Sequence, residues 1–190
     1  HIAGGRERVT ADGEPAIPLD EQDVREAAAM FRERGVEAVA VSYLWSFRNE
    51  RHEQRTKEIL EQELPGVYVS ISTEILPQIR AYERHSTTAL NSYVGPVLNR
   101  YLSRLRQRLH ELGFGGTLLI MQSNGGVMSP EVAQRFASNT LLSGPAWLYM
   151  TWSAAREHVI VRPPNRLDDP GARHLSVERD ALREQRAVER

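Results

Sequence analysis

Two short apolar runs, Val36 to Leu44 and Val67 to Ile71, restrict this chain more than any other feature, because a helix-patterned stretch of about twenty residues separates them. The first run is Val, Ala, Tyr and Leu broken only by Glu37 and Ser42, the pattern of a strand covered on both faces. Between the runs, Asn49 can cap a helix whose Thr56, Ile59, Leu60 and Leu64 form an apolar stripe, closed by Pro65-Gly66. That connection is long enough for the right-handed helical crossover that parallel pairing requires. An α/β layer with a parallel sheet is therefore predicted for the first half. Upstream, Asp20 can cap a helix carrying Val24, Ala27, Ala28 and Phe31 at helical spacing, ended by Gly35.

From Tyr82 to Leu112 the pattern turns helical. Val97, Leu98, Tyr101, Leu102, Leu105, Leu109 and Leu112 fall on one side, which predicts a buried stripe, and Gly95-Pro96 predicts a division into two helices. Leu118 to Met121 reads as a short buried strand emptying into Ser123, Asn124, Gly125 and Gly126, and Ser129-Pro130-Glu131 restarts a helix.

Three places can carry chemistry. The Ser123–Gly126 loop lies after a strand, where open α/β sheets collect ligands and glycine turns present N–H groups to anions; a tight turn with Ser and Asn capping the backbone is the plainer reading. At Ser143 and Gly144, followed by Pro145, a helix start can leave N–H groups free for an anion, although a plain helix start is the commoner meaning. The third is the polar cluster Arg80, Tyr82, Glu83 and Arg84, continuing through His85, Ser86, Thr87 and Thr88, which reads equally as a site or as an interdomain hinge. His52 and Glu53 are adjacent on a predicted helix and point in different directions, so they read as surface or capping residues. The sequence identifies no catalytic base, zinc motif, triad or Walker loop, and no metal ligands.

Composition narrows the function classes. A net charge of −1 gives no clustered excess of Lys and Arg for nucleic acid. The chain has no cysteine, which removes disulfides and thiolate chemistry. No run reaches the roughly 18 apolar residues of a membrane span, so the expected setting is cytoplasmic, without membrane or nucleic-acid partners.

Read together, PLDEQDV, GVEAVAVSYLWSFRNERHEQRTKEIL, PQIRAYERHSTTALNSYVGPVLNRYL, LLIMQSNGGVMS and LLSGPA succeed one another as in the hydantoinase/oxoprolinase proteins, which the chain resembles over residues 6 to 146. The resemblance implies a fold of actin-like or ribonuclease H-like ATPase layers, incomplete here, with a helical middle segment. It implies ATP with Mg2+ as the shared requirement, a small cyclic amide such as a hydantoin or 5-oxoproline as substrate, and a second hydantoinase/oxoprolinase-type subunit or domain as partner. Ketone carboxylase subunits belong to the same family, and a non-catalytic docking module is the third reading. By carry-over, Ser123 to Gly126 and Ser143 to Ala146 correspond to motifs beside the nucleotide or substrate cleft.

The departures from the family are as specific as the matches. Neither of the family's phosphate loops has a counterpart in the chain, and Ala81 stands where the family tends to have Glu. The expected organisation is residues 1–78 from the end of the family's N-terminal region, 79–146 from the start of its main domain, and 147–190 as a divergent, mobile tail rich in Arg and without Lys. A fragment of this kind is expected to be inactive alone and to self-associate through surfaces left uncovered.

Overall fold

The computed structural model describes residues 1–143, so the expectations of a helix start at Ser143–Ala146 and of a mobile 147–190 tail lie wholly or largely outside the described residues. The chain divides into two units. The first holds His1–Leu118 and Pro130–Ser138, and the second holds Leu119–Ser129 and the chain from Asn139 onward.

The first unit opens with an antiparallel pair, β1 (Arg8–Val9) and β2 (Pro15–Ile17), followed by helix α1 (Glu21–Glu33). Asp20 caps α1 as expected: its side chain accepts from Gln22 N at 3.0 Å and Asp23 N at 3.4 Å. Strand β3 (Ala38–Val41), helix α2 (Arg51–Glu63) and strand β4 (Tyr68–Ile71) form the predicted crossover. β3 and β4 pair in parallel, with Ala38 opposite Tyr68 and Val41 opposite Ile71. Asn49 does its capping one residue early, with Oδ1 accepting from Arg51 N at 3.2 Å.

The core is the apolar set sandwiched by α1, α2 and one sheet face: Val24, Ala28, Val39, Val41, Ile59, Leu60, Leu64 and Ile71. Burying these side chains, worth about 1.5–3 kcal/mol for each Val, Leu or Ile, is the main force holding the two helices on the sheet. The turn leaving β3 contains Trp45 at φ 60°, a left-handed conformation that an aromatic residue adopts only when its surroundings enforce it.

A single turn, α3 (Ser72–Ile75), leads to α4 (Ala81–Glu111). Contrary to the expected division at Gly95-Pro96, α4 is one continuous helix of 31 residues containing Pro96. Gly95 serves contact rather than a break, since an added Cβ would stand 2.3 Å from Tyr68 Cε1. Packing along β3 and β4 outweighs the one ladder bond that Pro96 removes.

The stripe expected to bury α4 also needs correction. Leu102 is buried, but Val97, Tyr101 and Leu112 are exposed. The face turned to the sheet carries Arg84, Thr88, Asn91, Ser92 and Gly95 instead. Small and polar residues win because the sheet face they meet presents Ser70 and Tyr68, whose groups need partners: Asn91 Nδ2 donates to Ser70 Oγ at 2.9 Å and Ser92 Oγ donates to Val39 O at 3.0 Å.

Helix α5 (Pro130–Arg135) begins at the predicted Pro130 and completes the first unit. In the second unit, β5 (Ile120–Met121) and β6 (Val127–Met128) form an antiparallel hairpin. Leu119 is exposed and both β5 residues are only half-buried, so the expectation of a buried strand here is not met. With a single antiparallel partner, the strand lacks the cover that a parallel-sheet strand receives.

Candidate functional site

The polar cluster at the start of α4 is split by helical geometry. Tyr82 is 81% exposed, and Arg80 reaches Glu83 in an exposed ion pair at 3.4 Å. Arg84 faces inward and is among the most deeply buried side chains of the chain. Its Nη1 donates to Gln78 O at 3.0 Å, its Nη2 donates to Tyr43 O at 2.7 Å, and its guanidinium stands 5.4 Å from the centre of the Phe47 ring. Burial lowers the pKa of Arg84, and burial followed by the Arg84 charge lowers that of His85.

Beside Arg84 lies a residue whose role differs from the sequence expectation. Glu53 is fully buried, not on the surface. Its Oε1 accepts from Ser72 Oγ at 2.6 Å and Tyr43 N at 2.9 Å, and its Oε2 accepts from Thr73 N at 2.9 Å. Tyr43 thus joins the two charges, giving its N–H to Glu53 and its carbonyl to Arg84. This network stitches the carboxyl ends of β3 and β4 together, the place where open α/β sheets gather function. His52 also departs from the surface reading, because its Nδ1 meets Glu7 Oε2 at 2.9 Å with both side chains largely covered. A signal was present: Glu53 lies three and seven residues before Thr56 and Leu60, on the same buried face of α2.

Chemically, three donors hold the Glu53 carboxylate in one orientation. Arg84 Nε and Thr73 Oγ1 are buried without a hydrogen-bond partner among the described residues.

In the second unit the Ser123–Gly126 loop is the hairpin turn. Gly125 takes φ 86°, Gly125 N donates to Gln122 O at 3.1 Å, and Gly126 N donates to Asn124 Oδ1 at 2.9 Å. Ser123 clips the following turn: its N and Oγ donate to Asn139 O at 2.7 and 2.8 Å, and Oγ accepts from Leu142 N at 3.2 Å. Three N–H groups of this loop are therefore committed to protein acceptors, the geometry of a satisfied turn. Ser143 is the last residue described, and Gly144 lies outside the described residues. Among the described residues no group of three or more His, Asp or Glu can hold a metal ion, and no helix is long and apolar enough to cross a membrane.

Comparison with known proteins places this geometry. Residues 2–64 match the hydantoinase/oxoprolinase N-terminal region, and residues 84–148 match the hydantoinase/oxoprolinase model. Caprolactamase subunit alpha of Pseudomonas jessenii is 43% identical over 139 residues, which cover 73% of this chain and 20% of that protein. Acetophenone carboxylase gamma subunit of Aromatoleum aromaticum is 34% identical over 149 residues, covering 76% of this chain and 20% of its own length. The crystal structure of the ATP-dependent caprolactamase from Pseudomonas jessenii superposes with a TM-score of 0.74 at 39% identity, over 80% of this chain and 22% of that one. The chain spans about a fifth of the length of the curated relatives it matches. The described residues therefore share the α/β fold of an ATP-dependent enzyme.

Proposed function

Because this chain belongs to the hydantoinase/oxoprolinase family, we propose that it is part of an ATP-dependent amidohydrolase that opens small cyclic amides, with hydantoins and 5-oxoproline among the candidates. The observation that carries this reading is the 43% identity to a caprolactamase subunit, since caprolactam is itself a cyclic amide. In such a reaction ATP, held with Mg2+, would phosphorylate the amide oxygen with loss of ADP, and addition of water at the carbonyl carbon would release phosphate and break the ring C–N bond.

Within this reading, residues 1–78 and 79–146 belong to two successive regions of an actin-like ATPase layering. The Glu53–Tyr43–Arg84 network fixes the carboxyl ends of β3 and β4, with Arg80, Tyr82 and Glu83 beside it at the start of α4. By family resemblance, Ser123, Asn124, Gly125, Gly126, Ser143 and Gly144 are the candidates for contact with nucleotide or substrate. The Ser123 hydroxyl keeps the turn in place and takes no part in bond making. The relatives are named as subunits, which supports a partner chain.

A second reading, a subunit of an ATP-dependent ketone carboxylase, is favoured by the 34% identity to the acetophenone carboxylase subunit. A chimaera decides between them: residues 1–143 of this chain replace the matching part of caprolactamase subunit alpha, and ATP-dependent hydrolysis of caprolactam, hydantoin and 5-oxoproline is measured. Retained hydrolysis supports the amidohydrolase. Loss of hydrolysis, with carboxylation retained in the equivalent acetophenone carboxylase chimaera, selects the second reading. Calorimetric titration of the 190-residue chain with an ATP analogue and magnesium is expected to show no binding, because the turn N–H groups are already taken.

A further inference from the structure

The turn that leaves β3, residues 44–48, holds the only non-glycine residue at positive φ among the described residues: Trp45, at 60°. That conformation presses Cβ toward the following carbonyl oxygen, and Gly is the residue that adopts it without strain. Burial does not account for Trp here. The indole is only half-buried, Leu44 beside it is 43% exposed, and its ring partner is Phe47, with centroids 5.6 Å apart. The surroundings nevertheless fix the turn from several sides. Ser46 Oγ and Arg84 Nη2 both donate to Tyr43 O, at 3.0 and 2.7 Å, Arg48 N donates to Trp45 O at 2.9 Å, and Asn49 Nδ2 donates to Gly13 O at 2.8 Å. Strain enforced in this way collects at binding and catalytic sites. The turn also stands at the carboxyl end of a parallel strand, where α/β sheets take their ligands.

We propose that Trp45, with Leu44, is the contact for the methylene side of the ring in a lactam substrate and sets the preference for apolar rings; the assignment rests on the amidohydrolase reading. Tyr43 N, Tyr43 O and Trp45 O are already taken by protein partners, so the turn offers a ligand chiefly hydrocarbon. Phe47 is flanked by the guanidinium groups of Arg48 and Arg84, 5.8 and 5.4 Å from its centre, which leaves Trp45 as the ring of the pair available to a ligand. A purine needs hydrogen bonds along its edge, whereas the methylenes of a lactam need only apolar contact. Each methylene withdrawn from water strengthens binding about fourfold. Caprolactam, with its chain of methylenes, therefore depends on Trp45 far more than hydantoin, which has a single one.

Steady-state kinetics of the chimaera with caprolactamase subunit alpha test this. Trp45→Gly accepts the left-handed backbone and removes the indole. It is expected to raise KM for caprolactam at least about tenfold and KM for hydantoin less than about threefold, with kcat and the KM for ATP within about twofold. Trp45→Phe should restore most of the caprolactam KM. In the 190-residue chain, Trp45→Gly should leave the urea midpoint unchanged or higher, because the relieved backbone offsets the lost ring contact. Equal rises for the two amides, or a rise in the KM for ATP, overturn the proposal. A fall in kcat together with a lowered urea midpoint overturns it as well, by making Trp45 a structural residue. Hydrolysis that Trp45→Gly leaves unchanged overturns this assignment alone, whereas no hydrolysis by the unmutated chimaera overturns the amidohydrolase reading and the assignment with it.

Discussion

Gly95→Ala sets two opposing effects against each other, and the structure decides the sign. In an ordinary helix interior the change from Gly to Ala stabilises by about 1 kcal/mol, because Ala loses less backbone entropy. Here the added Cβ would lie 2.3 Å from Tyr68 Cε1, 2.4 Å from Cζ and 2.6 Å from Cδ1. Favourable carbon contacts begin near 3.5 Å, so the overlap exceeds about 1 Å. The ring is not free to retreat: Tyr68 OH donates to Gln134 O at 2.8 Å and Arg135 O at 3.0 Å, and accepts from Asn91 Nδ2 at 3.1 Å. Overpacking costs about 1–3 kcal/mol and each lost hydrogen bond about 1 kcal/mol, so the net effect is a destabilisation of about 1–4 kcal/mol after the helix gain is subtracted. Urea unfolding of the 190-residue chain, followed by far-UV circular dichroism, measures it. The same substitution in a Tyr68→Ala background meets no ring and should stabilise by about 1 kcal/mol. A stabilising Gly95→Ala in the wild-type background, or an effect of the same sign in both backgrounds, would refute the reasoning.

Glu53→Gln keeps the shape but turns an amide N–H₂ toward one of the donors that Glu53 now satisfies; a loss of about 2–4 kcal/mol in the urea midpoint series is expected, and a change below about 0.5 kcal/mol would show that the network is dispensable. Ser123→Ala removes the clip to Asn139 and Leu142 and should speed hydrogen exchange at the Leu142 amide by roughly tenfold, about 1–2 kcal/mol, while leaving β3 and β4 protection unchanged. Hydrogen bonds from the Arg6 side chain, then its backbone N–H, hold the Asp23 carboxyl down to about 2. Its folded value being depressed, its contribution is complete above the unfolded carboxyl value of about 3.9 and is lost as pH falls through about 2. Carboxyl NMR titration of Asp23 should show the low midpoint, and Arg6→Ala should raise it part of the way toward the ordinary range, because residue 6 keeps its backbone N–H.

What the sequence disclosed follows from how strongly each segment declares its period. Ala38–Val41 and Tyr68–Ile71 lie inside the predicted apolar runs, and Asp20 caps α1 as its side chain demands, because these are local or fully buried features. α4 misled because the search for a buried face follows hydrophobicity, and here the buried face holds Arg84, Thr88, Asn91 and Ser92 while tyrosines and Val97 point outward. For Glu53 only its place on the buried face of α2 was legible; the partners that satisfy its carboxylate, Tyr43, Ser72 and Thr73, approach through tertiary structure. The loop at Ser123 was visible as a loop, yet its use of Asn139 and Leu142 as partners depends on contacts sixteen and nineteen residues away.

The hydrogen bonds from Tyr68 to Gln134 and Arg135 bear on the order in which the chain assembles. Helix α5 spans only Pro130–Arg135, far below the length at which a helix persists by itself in water. Its fixed position depends on a phenol 66 residues earlier in the chain and on Asn91, whose Nδ2 also holds Arg135 O. Both anchors exist only after β4 has found β3 and α4 has settled on them. Docking of α5 is therefore expected to follow the pairing of β3, β4 and α4, and its amides are expected to exchange faster than those of β3 and β4.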